Sequence, residues 1–99
     1  MKYTVRLYPR AYRDLDEIYS YIAFNLSEPG TAEKMVDALE KAIFGLEQFP
    51  ERGSIRRVGA YADRDYRQIF VKNYTIVYRV HKEEQEVHIV TVRYAPSNF

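Results

Sequence analysis

Guanidinium and phenol groups carry most of the reactive chemistry in this 99-residue chain. Arg52, Arg56, Arg57, Arg64 and Arg67 fall within sixteen consecutive positions, and Arg79 and Arg93 follow. The guanidinium fork matches phosphate and carboxylate oxygens, so such a cluster suits a polyanion or an acidic protein partner. Ten tyrosines and no tryptophan add large rings with polar tips, a composition that favours half-buried sheet faces and interfaces. Tyr94 directly follows Arg93. A free phenol titrates near about 10, so it serves as an acid only where neighbouring cations loosen its proton. His81 and His88 are the two imidazoles, and a pair in adjacent strands is more often surface structure than a ligand set. No His, Asp and Glu cluster has metal-ligand spacing, no serine sits in a nucleophile motif, and no Gly-rich phosphate loop occurs. Neither a metal nor a cofactor is expected.

The charge is unevenly spread. The net value is +1, yet residues 1–50 hold six Lys and Arg against eight Asp and Glu, whereas residues 51–99 hold nine against six. The basic character therefore lies in the second half. Cysteine is absent, so disulfides and thiolate metal sites are excluded. No apolar stretch approaches the roughly 18 residues that a membrane-spanning helix requires. The opening residues read as a strand and lack signal-peptide features. The expectation is a cytoplasmic chain with no membrane partner, forming one domain over residues 1–99.

These side chains need positioning elements, and the periodicities supply them. Lys2 to Tyr8 alternates, with Tyr3, Val5 and Leu7 on one face, as a half-buried strand does. Pro9 ends it. Ala11, Leu15, Ile18 and Ile22 form one stripe of a helix over about residues 10–26. Asp14, Asp16 and Glu17 fall off that stripe, on the surface. After Ser27-Glu-Pro-Gly30, Thr31 is placed to cap a second helix. Its stripe is Ala32, Met35, Val36, Leu39, Ala42, Ile43, Leu46 and Phe49. The short connection makes the two helices antiparallel neighbours. Residues 51–65 lack a period and read as an exposed loop. Three strands follow near 66–71, 74–82 and 86–94, the first two joined at Lys72-Asn73. In the third strand Tyr74, Ile76, Tyr78 and Val80 share a face. In the last, Val87, Ile89 and Thr91 oppose His88, Val90 and Val92. The order is β-α-α-β-β-β: an α+β fold with a helical hairpin on one face of a small, mostly antiparallel four-stranded sheet.

The motifs that carry a family likeness are Ala11-x-x-Asp14-Leu15-x-x-Ile18-x-x-Tyr21-Ile22, then Phe49-Pro50-Glu51-Arg52-Gly53. Tyr66-Arg67-x-Ile69-x-Val71-x-Asn73-Tyr74-x-Ile76-x-Tyr78-Arg79-Val80 and Val90-x-Val92-x-Tyr94 complete the set. Together, in this order over nearly the whole chain, they resemble the RelE/ParE superfamily of toxins from type II toxin–antitoxin systems. The resemblance implies a cognate antitoxin partner whose disordered segment folds on the toxin. It implies one of two activities. RelE-like members cleave messenger RNA in the ribosomal A site; ParE-like members bind and poison DNA gyrase.

Metal-free RNA cleavage needs a proton taken from the 2′-OH, a proton given to the leaving oxygen, and stabilisation of the pentavalent phosphate. On the resemblance, Arg67, Arg93 and Tyr94 are the catalytic candidates, and Arg56, Arg57, Arg64 and Arg79 the substrate-binding ones. Strict alternation puts Arg67 on the core side with Ile69 and Val71, so a bulge or the strand end must turn it outward. Two departures stand out. Thr75 occupies a place where RNA-cleaving members often carry arginine, and the tail after Tyr94 has Ser97 and Asn98 where an arginine and an acid are usual. The density of arginine leans the reading toward ribosome-dependent mRNA cleavage, with the ribosome and mRNA as partners. Gyrase inhibition, or a divergent member that only binds its antitoxin, is the alternative.

Overall fold

The computed structural model describes residues 2–95; the tail positions Ser97 and Asn98 lie outside them. The elements are β1 (Thr4–Leu7), α1 (Pro9–Ser20), a π-helical turn (Tyr21–Asn25), α2 (Pro29–Gly45), β2 (Ser54–Ile55), β3 (Tyr66–Val71), β4 (Tyr74–His81) and β5 (Glu86–Tyr94). One sheet runs in the order β1-β5-β4-β3-β2. Its β1–β5 pair is parallel and the other pairs are antiparallel. The sheet thus has five strands rather than the expected four. The added strand is Ser54–Ile55, which pairs with Gln68 and Arg67 inside the segment read as loop. Two residues are too few for alternation to show in a sequence.

The helical stripes pack as their spacing demands. Ala11, Leu15 and Ile22 from the first, with Ala32, Met35, Leu39, Ile43 and Leu46 from the second, meet Ile76, Tyr78, Val87, Ile89 and Val92 of the sheet. Each fully buried aliphatic side chain contributes roughly 1.5–3 kcal/mol. Phe49 departs from the expectation: it lies past the end of α2 and is 65% exposed. The start of α2 differs too. Pro29 takes the first helical turn, and Glu28, not Thr31, is the N-cap. Proline fits there because its φ is already helical and its missing N–H has no partner to lose. The Thr31 hydroxyl instead donates to Glu28 Oε1 at 3.1 Å.

The last strand corrects the sequence reading most sharply. Val77 pairs with Thr91 but Tyr78 pairs with Ile89, so Val90 is an extra residue on β5. A bulge of this kind exchanges the faces of everything beyond it. Val92 therefore joins Val87 and Ile89 in the core, while Thr91 does not. Tyr94, across from Tyr74, faces the helices. Arg93 falls in a cross-strand row with Thr75 and Phe70 on the other face.

The other end of the sheet is closed by residues 51–53. Gly53 is buried, and a Cβ there would lie 2.5 Å from the Gln68 carbonyl oxygen and 2.7 Å from the Tyr78 hydroxyl. Only glycine allows this approach. The Gly53 N–H donates to Tyr78 Oη at 2.9 Å, and burial pushes that phenol up from its ordinary value.

Candidate functional site

A groove of about 780 Å³ lies between α1, the π-helical turn and the end of β5. From α1 and the turn it takes Arg10, Arg13, Asp14, Glu17, Ile18 and Tyr21; from the sheet, Tyr74, Val92, Arg93 and Tyr94. The helical set has spacings of three, one, three, one and three, which is one face of a helix beside the core stripe, sharing Ile18 with it. The π-helical turn extends that face. Leu26 N–H reaches back to the Tyr21 carbonyl at 3.1 Å, five residues earlier. The wider turn brings Tyr21, Ile22 and Leu26 to the groove, and such turns recur at functional sites.

The groove exists because β1 stops short. Its pairing with β5 ends at Leu7 opposite Ile89, followed by a Tyr8 N–H bond to the Ile89 carbonyl at 3.0 Å. Beyond this point the β5 edge meets α1 instead of a strand. Asp14 answers the edge: its Oδ2 accepts the Val92 N–H at 3.0 Å and the Thr91 hydroxyl. The Thr91 oxygen in turn accepts Arg10 Nε at 3.4 Å and Arg93 Nε at 3.3 Å. One buried hydroxyl thereby orients two guanidiniums from different elements at the groove.

Three phenols stand at the far side. Tyr74 and Tyr94 meet edge to face at 5.4 Å. Burial, then the nearby phenols of Tyr94 and Tyr21, push the Tyr74 hydroxyl above its ordinary value. Tyr94 is 64% exposed. The groove therefore offers apolar floor, phenolic walls and guanidinium rims. That combination suits an amphipathic segment with carboxylates along one side.

The residues singled out in the sequence separate in space. Arg93 and Tyr94 line the groove, on opposite faces of the strand. Arg67 stays on the core side, as alternation requires, with no bulge to turn it outward. It donates to the carbonyls of Gly53 at 2.7 Å and Glu51 at 3.3 Å, and its Nη2 lies 3.6 Å from the Glu51 carboxylate. Its strand partner Tyr78 lies four residues along β4 from Tyr74, which is roughly 13 Å from the Tyr74–Tyr94 pair. Arg56 is buried, donating to the Ala60 carbonyl and, at 2.7 Å, to Gln68 Oε1. Arg57, Arg64 and Arg79 are exposed. Arg79 lies over the Tyr66 ring at 5.5 Å.

Sequence reasoning missed Arg10, Arg13, Asp14 and Thr91. The first three were legible as a second helical face, had the polar positions of α1 been followed as closely as the apolar ones. Thr91 was hidden by the bulge. Among the described residues, no group of three His, Cys, Asp or Glu side chains has the geometry to hold a metal ion. No helix there is long and apolar enough to cross a membrane.

Residues 5–98 match the family model described as the ParE toxin of the type II toxin–antitoxin system, parDE. The chain belongs to this family. It is a toxin of the RelE/ParE superfamily, and the solved structures agree on the fold. The chromosomal ParDE system of P. aeruginosa superposes with a TM-score of 0.78 at 21% identity, covering 95% of this chain and 97% of that one. The RelBE2 toxin–antitoxin complex of Mycobacterium tuberculosis gives 0.70 at 23% identity, covering 98% and 95%. An arginine-to-alanine double mutant of E. coli RelE in the free state gives 0.60 at 18% identity, covering 93% and 82%. A comparison with curated proteins returns no match.

Proposed function

We propose that this toxin acts by binding, in the ParE-like manner, with DNA gyrase as its target, and that its groove receives a cognate antitoxin. The observation that carries the first part is the dispersal of the cleavage candidates. Arg67 is held under the 51–53 segment, roughly 13 Å along the sheet from Tyr94. Phosphate stabilisation and proton donation must converge on one scissile bond, and these two groups do not. Thr75 sharpens the point. It is 2% exposed and stands where RNA-cleaving members often carry arginine, so that place supplies no cation.

The antitoxin reading rests on the groove itself. An acidic amphipathic segment would set apolar side chains on Ile18, Ile22 and Leu26 and carboxylates near Arg10, Arg13 and Arg93. Ribosome-dependent cleavage is the second reading. Arg93 and Tyr94 favour it, since both line the same concavity.

The test is a parallel assay of purified protein. Gyrase supercoiling is measured beside cell-free translation with transcript ends mapped. Blocked supercoiling with intact transcripts is expected. Ribosome-dependent cuts with unaffected gyrase would transfer the activity to the second reading.

A further inference from the structure

We infer that the outer groove between α1 and α2 is the surface that grips the protein target, and that its occupant is a cationic segment with an apolar anchor. The inference rests on the binding reading above and adds where the target is held, on a different side of α1 from the antitoxin groove.

The groove encloses about 220 Å³ where the two helices pass the end of β1 at Leu7. Leu15 and Ile43 are its buried lining. Tyr12 and Phe44, which also line it, are 59% and 46% exposed. Neither ring belongs to the core. Large rings left in water beside an apolar hollow mark a contact surface, and tyrosine is among the residues that carry most binding energy at such surfaces.

The charge that lines this hollow has one sign. Asp16 from α1 and Glu40 from α2 line it, and no Lys or Arg does. Both carboxylates are exposed, and among the described residues neither has an ion-pair or hydrogen-bond partner. Glu33 extends the same face of α2 about two turns earlier. The cations of these helices point elsewhere. Arg10 and Arg13 line the antitoxin groove. Lys34 and Lys41 each follow a carboxylate of this face by one position, which turns them about 100° further around α2. An acidic antitoxin segment is therefore repelled here, and a segment bearing Lys or Arg is attracted. An apolar floor with one free carboxylate from each helix fits an apolar side chain flanked by cations. The same carboxylates repel phosphates, so the occupant is a protein.

The test separates target binding from antitoxin binding. Full-length chains carrying Asp16→Lys with Glu40→Lys, or Tyr12→Ser with Phe44→Ser, are induced in cells and scored for growth arrest. The neutral pair Asp16→Asn with Glu40→Gln and the off-face change Lys34→Glu are scored alongside. Each protein is melted, sedimented and titrated with the purified antitoxin. Charge reversal should raise the inducer level for arrest about tenfold, the neutral pair should raise it less, and Lys34→Glu should leave it unchanged. The serine pair should abolish arrest. Antitoxin affinity and melting temperature should hold throughout; if the serine pair melts lower, the charge pair, at two exposed positions, decides. Arrest undiminished by charge reversal overturns the inference. A parallel loss of antitoxin affinity also overturns it and gives the groove to the antitoxin. A parent that sediments as a dimer, with the serine pair a monomer, overturns it and gives the groove to a second copy. Groove-dependent arrest with gyrase supercoiling unaffected upholds the inference and overturns the gyrase reading alone.

Discussion

At the β2–β3 end of the sheet, Arg56 and Arg67 are turned inward onto carbonyl and amide oxygens. At the β5 end, Arg10, Arg13 and Arg93 line an open groove. The first region has the higher density of arginine in the sequence, but it turns Arg56 and Arg67 onto its own backbone and side chains and leaves Arg57 and Arg64 exposed. The lesson concerns covalent neighbourhood. A run of arginines next to short, irregular segments is drawn on to satisfy those segments' backbone groups. Arginines on a regular helix, whose backbone bonds are already made, stay available.

The contrast can be broken most forcefully at Gly53. Ala at this position places a methyl against backbone at 2.5 Å, and Gly53→Ala is expected to cost about 3 kcal/mol by forcing the strands apart, measured as a lower urea midpoint. Arg67→Ala comes next. It strips the donor from the buried Gly53 carbonyl, so a loss of about 2 kcal/mol is expected. A variant that loses gyrase or antitoxin binding at wild-type stability would show that Arg67 acts on a partner after all. Asp14→Ala probes the groove end. Removing the acceptor for Thr91 and Val92 should cost about 1.5 kcal/mol and weaken antitoxin binding, since the Thr91 hydroxyl that Arg10 and Arg93 share loses the group that holds it.

Tyr94 separates binding from chemistry. Tyr94→Phe keeps the ring on Tyr74 and removes the proton, so growth arrest should be unchanged; a hundredfold loss would restore an acid–base role. Tyr94→Ala should weaken the antitoxin about tenfold, or ~1.4 kcal/mol, with little change in stability. The smallest effect expected is that of pH. Glu86 is held below its usual value of 4.5 by bonds from His88 and then Arg6, and Glu51 by Lys82 and then Arg67. A carboxylate depressed in the folded state contributes stability above its unfolded value, and that contribution fades as pH falls from about 4.5 through the folded value. Urea midpoints between pH 6 and pH 3 should therefore fall less steeply for Glu86→Gln than for the parent. Equal slopes would mean that the β1–β5 ion pair has no net stabilising role in the folded state.

Much of the fold was legible because burial imposes a period. The stripes Ala11–Ile22 and Ala32–Leu46 and the alternation of Tyr74, Ile76, Tyr78 and Val80 each mark the face that meets the core. The family followed from the order of those stripes and strands. Partner and site are less legible, because the polar face of a helix obeys no comparable constraint, and Arg10 and Arg13 look like any solvated pair.

The sequence by itself determined the helical hairpin, the strands other than Ser54–Ile55 and the superfamily, since apolar spacing fixes which side of each element is dry. The tertiary structure decided which cations are free and which side of β5 each residue faces. One unpaired residue at Val90 exchanges Arg93 with Tyr94 across the sheet. A bulge depends on how two strands settle against each other and against the helices, and no local periodicity encodes that.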